Sequence, residues 1–303
     1  MNSSAEHPPE SSWGQAWLDT LPAKAAKGAE AALGALPTAA SAAGNGLPLA
    51  IAAWTLADPA VAARLVEAWL ATMDGEGNLS PACPVVCKLA ERVADALPDP
   101  EKFVTGILPG LARCLSREFD RYDILGTGLP LWPSAEESLF PEEFAPGRFT
   151  VDLAVLLSNE TSAFIRLAEG QQRMEKTIEL AEGEQRELDG WMKDNFWDEE
   201  LSAFQRHDEN LASAPDFSPC GFFPLVWEAR TPEMVEGVRT RAADWDSSAW
   251  SARGWTLFFA LLLRTPHNSV IAHMLRAGLP AGASPVEAAA WTVLAAGADA
   301  ARE

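Results

Sequence analysis

The chain of 303 residues contains one tyrosine, Tyr122, and only four histidines and four cysteines. So few imidazoles and thiols leave little material for a metal centre, because a structural zinc site takes four such ligands. Cys83 and Cys87 stand four residues apart and could share a helix face, but no nearby His or Cys cluster completes a ligand set. Four reduced, mostly buried thiols are expected, with no metal and no other cofactor. His207, His267 and His273 are not spaced to activate a serine or cysteine nucleophile, and no elbow motif, glycine-rich phosphate loop or EF-hand occurs.

Positive charge is equally scarce. Lys and Arg total 23 against 43 Asp and Glu, which gives a net charge of −20 and a pI near 4.6. Nucleic acids and anionic membranes are gripped through Lys and Arg, so this balance argues against both as partners. Long apolar runs are missing too: the longest, "WTLFFALLL" at 255–263, is far short of the ~20 residues that cross a bilayer. The N-terminus carries acid early and no basic segment before an apolar run, unlike a secretory signal. A soluble, cytoplasmic protein is expected. Hydrophobic residues at 48% and charged residues at 22% are enough to build a globular core.

Tryptophan, in contrast, is plentiful, with 12 against the single tyrosine. Flat indoles pack well inside a core, and they also stack on the C–H faces of sugars. Composition alone leaves both roles open.

Helical periodicity dominates the chain. Segments such as "DPAVAARLVEAWLATM", "DPEKFVTGILPGLARCLSREFDRY" and "SPVEAAAWTVLAAGADAA" place apolar residues at i, i+3, i+4 and i+7. No window alternates with period two, so few or no strands are expected. Asp58-Pro59 reads as an N-cap followed by proline at the first helical position, and Ser284-Pro285-Val286-Glu287 as a capping box. About twelve helices fit between residue 11 and the end as one all-α domain, after a disordered tail at 1–10. Two long connections, 123–149 and 201–221, interrupt the helices. Such loops inside a helical domain are where function tends to sit.

Several of these segments resemble, in order, elements of the six-hairpin glycosidases, the (α/α)6 toroids that include trehalases and processing α-glucosidases. "GNGLPLAIAAWTL" followed by "DPAVAARLVEAWLATMDGEGNL" is similar to their opening helices, and "FTVDLAVLLSNETSAFIRLAEG" to their Val-Asp-Leu helix. "FWDEELSAFQRHD" is similar to their Trp-Asp-Glu-Glu element, with Ser202-Ala203 where the family often has glycine. Arg253-Gly254-Trp255 resembles their Arg-Gly-x-x-Trp region. The resemblance implies twelve helices in two concentric layers, with "GWTLFFALLL" inside and "GQQRMEKTIELAEGEQRELDGW" outside. It also implies a saccharide pocket at one rim and cofactor-free, inverting hydrolysis of an α-glucosidic or related bond.

In that family the general acid precedes the Val-Asp-Leu helix, which implies Glu143 here, with Glu142 beside it and Pro146 and Arg148 keeping part of the pattern. The base normally sits near the last hairpin. The only glutamate there, Glu287, is already explained by the capping box, which leaves Asp244 or Asp246 beside Trp245 as the candidate base, Asp246 being preferred. Trp132, Trp250 and Trp255 are the candidate stacking platforms and Arg253 a candidate sugar contact, alongside Glu142 and Arg148. Asp152 matches the family's helix and serves equally as a dipole partner. The alternative is a toroid that has lost the catalytic base and only binds saccharide or acts as a scaffold.

Overall fold

The computed structural model describes residues 15–39, 44–123, 125–141, 144, 145, 148–171, 174–208, 210, 212–215, 218–241, 250–263, 265 and 267–300. Within them lie twelve α-helices: α1 (Gln15–Leu18), α2 (Ala23–Ala35), α3 (Leu47–Ala57), α4 (Pro59–Leu70), α5 (Val86–Ala96), α6 (Glu101–Tyr122), α7 (Val151–Ala168), α8 (Glu175–Trp191), α9 (Pro232–Arg241), α10 (Ala252–Leu262), α11 (Asn268–Ala277) and α12 (Pro285–Ala300). A 3-10 segment, Pro219–Val226, stands between α8 and α9 in the helical series. The tail at 1–10 lies outside the described residues.

Six segments close a ring. Each of α3, α5, α7, the 3-10 segment, α10 and α12 packs on the next, and α12 returns to α3. Outside them, α4, α6, α8, α9 and α11 each pack on the inner segment they follow, and α2 covers α12. This is the expected all-α toroid of two concentric layers. The layering follows from composition. Ten of the eleven residues of α10 are buried, because it touches protein all round. In α8 only Ala181 and Leu188 are buried, so charged residues fill the rest of its surface. No helix among the described residues is long and apolar enough to cross a membrane.

Helix starts obey local chemistry. The Asp58 carboxylate accepts the N–H groups of Ala60 at 3.1 Å and Val61 at 3.3 Å, capping α4 ahead of its N1 proline. Ser284 and Glu287 exchange hydrogen bonds at 2.7 and 3.3 Å, the reciprocal capping box before α12. Glu287 is therefore occupied at the helix start.

Strands are few among the described residues, as expected. A small antiparallel sheet occurs, β1 (Trp197–Asp198), β2 (Ala203–His207) and β3 (Ser213–Pro215), in the order β1-β2-β3. Its strands are too short to leave a period-two signature. The β1–β2 turn holds Ser202 at φ 47, left-handed backbone where glycine is usual. Trp197 packs on Phe204 with centroids 5.0 Å apart, and Phe204 in turn meets Trp227 edge-on at 6.4 Å. The stretch at 197–207 is thus a short hairpin packed on Trp227.

Candidate functional site

The N-terminal ends of inner segments meet at one rim. Asn45 and Pro48 beside α3, Pro81 and Cys83 ahead of α5, and Arg253 at the start of α10 line a common cavity there with Leu139. The C-terminal ends gather at the opposite rim, where Arg92, Arg166, Glu228 and Leu261 line another. The connection after α6 reaches the first rim, called the mouth below, through Leu139.

The connection after α6 is pinned to the mouth at both ends. Upstream, the Arg253 guanidinium donates to the Ser138 carbonyl and, at 3.3 Å, to that of Glu137. The Ser251 hydroxyl donates to the Leu139 carbonyl and accepts the Gly254 N–H at 3.0 Å, capping α10. Gly254 is required by proximity: a Cβ there would sit 2.5 Å from Phe140 Cε1 and 3.0 Å from the Leu139 oxygen. Downstream, Phe149 and His207 exchange backbone hydrogen bonds at 2.8 and 3.1 Å, which ties the connection to β2.

Phe140 is the hub of this rim. It meets Trp250 edge-on with centroids 5.3 Å apart, and Phe223 at 5.7 Å. Trp250 then meets Trp255 edge-on at 5.1 Å, and Trp255 lies over Trp291 at 6.3 Å. Edge-to-face pairs of this kind add ~0.5–1.5 kcal/mol each beyond burial. Glu143 follows Phe140 by three residues, and Asp246 precedes Trp250 by four. The two carboxylate-bearing spans therefore leave the described residues from adjoining anchors.

Glu142, Glu143, Asp244 and Asp246 themselves lie outside the described residues, as does Pro146. Arg148 is half-buried beside Phe149, its N–H donating to the Ala145 carbonyl at 3.1 Å. Arg253 faces the cavity but spends its guanidinium on the carbonyls of 137 and 138. Trp250 and Trp255 are buried, at 4% and 0% exposure, and their ring contacts are with protein. Trp132 is buried too: its Nε1 donates to Asp152 Oδ2 at 3.1 Å while its ring abuts Tyr122. Tryptophans elsewhere use their N–H groups the same way, Trp69 on the Pro81 carbonyl at 3.0 Å and Trp227 on Asp189 at 2.9 Å. For these residues the core-packing role of indole is the one observed.

Asp152, the aspartate of the Val-Asp-Leu resemblance and equally a candidate dipole partner, stands at the start of α7. It is fully buried, and burial raises its pKa above the usual carboxylate range while hydrogen bonds from Thr150 and Trp132 pull it down. It fastens residue 132 of the long connection to an inner helix. No short-range pattern marks a Trp–Asp pair 20 residues apart; only the Val-Asp-Leu resemblance drew notice to Asp152.

Deeper in the ring lies a second group of carboxyls. Glu160 on α7 accepts the N–H groups of Cys87 at 2.7 Å and Lys88 at 2.8 Å, capping the first turn of α5 from a neighbouring helix. Burial pushes its pKa up to about 7, against those hydrogen bonds. Glu118 on α6 takes a contact from Cys114 Sγ at 3.7 Å, and burial, reinforced by the charge of Glu160, raises its pKa well above normal. The same burial pushes the Cys83 thiol up to about 12, so it stays protonated at neutral pH. All four cysteines are reduced thiols outside any disulfide, as expected.

No family model and no curated protein matches the sequence. Solved structures do match in fold. A GH63 mannosylglycerate hydrolase from Thermus thermophilus, in complex with glucose, superposes with a TM-score of 0.63 at 12% identity, over 83% of this chain and 91% of that one. An uncharacterized conserved protein from the same organism gives 0.62 at 12% identity with the same coverage. A GH78 family rhamnosidase of Bacillus sp. GL1 gives 0.60 at 12% identity, over 78% of this chain and 26% of that one. The chain therefore has the toroid fold of these glycoside hydrolases.

Proposed function

We propose that this toroid is an inverting glycoside hydrolase for a small saccharide with an α-glucosidic or related bond, with Glu143 as general acid and Asp246 as general base. One observation carries the assignment: the spans bearing the two carboxylates begin at Phe140 and Trp250, whose rings are 5.3 Å apart at the mouth. An inverting pair needs carboxyls about 6.5–9.5 Å apart, with room for one water between base and sugar. Three residues of chain beyond Phe140 reach at most about 10 Å, and four before Trp250 at most about 14 Å, a reach that permits such a spacing. Glu143 would protonate the departing oxygen, and Asp246 would take a proton from water attacking the opposite face of the anomeric carbon. The fold shared with a mannosylglycerate hydrolase supports saccharide as the substrate class.

In a second reading the toroid binds saccharide or serves as a scaffold without turnover, and the small cavity among the described residues of the mouth favours the scaffold. The cavity beside Arg253 and Cys83 holds only about 10 Å³, room for one water at most. A panel of α-glycosides, followed for both binding and hydrolysis, separates the two. Hydrolysis lost in both Glu143→Gln and Asp246→Asn, with binding retained, supports the enzyme; binding without turnover supports the second reading. Hydrolysis at the parental rate in Glu143→Gln removes the acid assignment.

A further inference from the structure

Outside the ring, α6 and the turn at 75–77 that follows α4 face α8 across a groove of about 610 Å³. Phe119, Asp120 and Glu184 carry it into a second cavity of about 280 Å³ that ends at Asp123 and Pro130. From Ala112 to Asp123 the groove runs roughly 16 Å at about 1.5 Å per residue, three helical turns. Its floor is apolar, with Leu115, Phe119 and Ala181, and one wall carries Leu180 at 72% exposure. An exposed leucine beside an open apolar trough is surface that a partner would desolvate.

Charge is divided along the groove. Near the turn, Arg117 is already taken, donating to Asn78 at 2.8 Å and lying 3.7 Å from Glu76. The far cavity is lined by Asp120, Asp123 and Glu184 and by no Lys or Arg. Partial burial, reinforced by repulsion from Glu187, Asp120 and Asp123, raises the Glu184 pKa, while one oxygen of Asp123 accepts the N–H groups of Thr127 at 2.7 Å and Gly128 at 3.1 Å. A second copy of this chain, with net charge −20, is a poor occupant.

We infer that the groove between α6 and α8 docks a basic amphipathic helix of a partner protein, apolar side chains at i, i+3/i+4 and i+7 filling the trough and Lys or Arg meeting Asp120, Asp123 and Glu184. The probe is a labelled Leu/Lys amphipathic peptide of about five turns, titrated by fluorescence anisotropy, with its Leu/Glu counterpart as control. The Lys peptide should bind and the Glu peptide should not, and added salt should weaken binding. Leu180→Asp, at an exposed position that leaves the fold intact, and Glu184→Lys should each weaken it at least about tenfold. Glu199→Lys/Glu200→Lys, on the β1–β2 turn, should leave it unchanged. No binding, binding indifferent to Leu180→Asp, or equal loss in the β1–β2 variant overturns the proposal. So does a concentration-dependent dimer that Leu180→Asp abolishes, which would give the groove to a second copy.

Discussion

Replacing Gly254 by alanine tests how the mouth is held together. The added methyl would lie 2.5 Å from Phe140 Cε1, 2.9 Å from its Cζ and 3.0 Å from the Leu139 oxygen. Carbon pairs rest at about 3.5–4.0 Å, so the ring or the backbone must retreat by about 1 Å. Phe140 cannot retreat freely: it is fully buried and wedged against Trp250 and Phe223. Overpacking of this sort costs about 1–3 kcal/mol, and alanine returns at most about 1 kcal/mol of helix propensity, less in a first turn. Gly254→Ala should therefore lose about 1–2 kcal/mol in denaturant unfolding. Displacing the span that carries Glu143 by about 1 Å should also cut hydrolysis up to about 100-fold. Gly183→Ala is the control, since its Cβ would meet nothing within 4 Å in the interior of α8. That variant should gain about 0.5–1 kcal/mol. If Gly254→Ala is stabilised as Gly183→Ala is, the close approach of Phe140 to α10 is refuted.

Arg253→Met keeps the stem but leaves the carbonyls of 137 and 138 without their donor, and should cost about 1–3 kcal/mol in chemical denaturation together with most hydrolytic activity. Stability should also depend on pH through Glu160 and Glu118. Both folded-state pKa values are raised, Glu160 to about 7, so the folded chain binds more protons than the unfolded one. Their contribution is fully present below the unfolded value of about 4.3 and declines as pH rises above it, the share of Glu160 being lost as pH passes about 7, with a slope up to about 1.4 kcal/mol per pH unit for each group. Unfolding midpoints that rise over this window would contradict that sign. Asp58→Ala removes the cap of α4 and should cost about 1 kcal/mol, read by thermal unfolding, with saccharide hydrolysis unchanged.

The helices were legible in local periodicity, whereas the two-layer ring was legible only through the resemblance of the ordered segments to six-hairpin glycosidases. A helix surrounded by protein, such as α10, must be apolar on every face, and one with a wet flank, such as α8, must not be. The alternation of these two kinds along the chain is the alternation of the layers. Caps at Asp58 and Ser284 were legible too, since each acts within four residues. The mouth was not, because its contacts join distant residues: Arg253 reaches back 115 positions to Ser138, and Phe140 meets Trp250. Tryptophan abundance by itself decided nothing. An indole suits a sugar wall and a core equally well, and only the partners of Trp132, Trp250 and Trp255 decide between them. Ser202 runs the other way: its place where relatives use glycine pointed to a turn, and the turn takes the left-handed backbone.

The central claim, that two carboxylates at this mouth hydrolyse a glycosidic bond with inversion, is tested most directly by proton NMR of the first sugar released from an α-glucoside. Single displacement by water predicts that the β anomer appears first and mutarotates afterwards. The α anomer appearing first, or no sugar released from any α-glycoside, would contradict it.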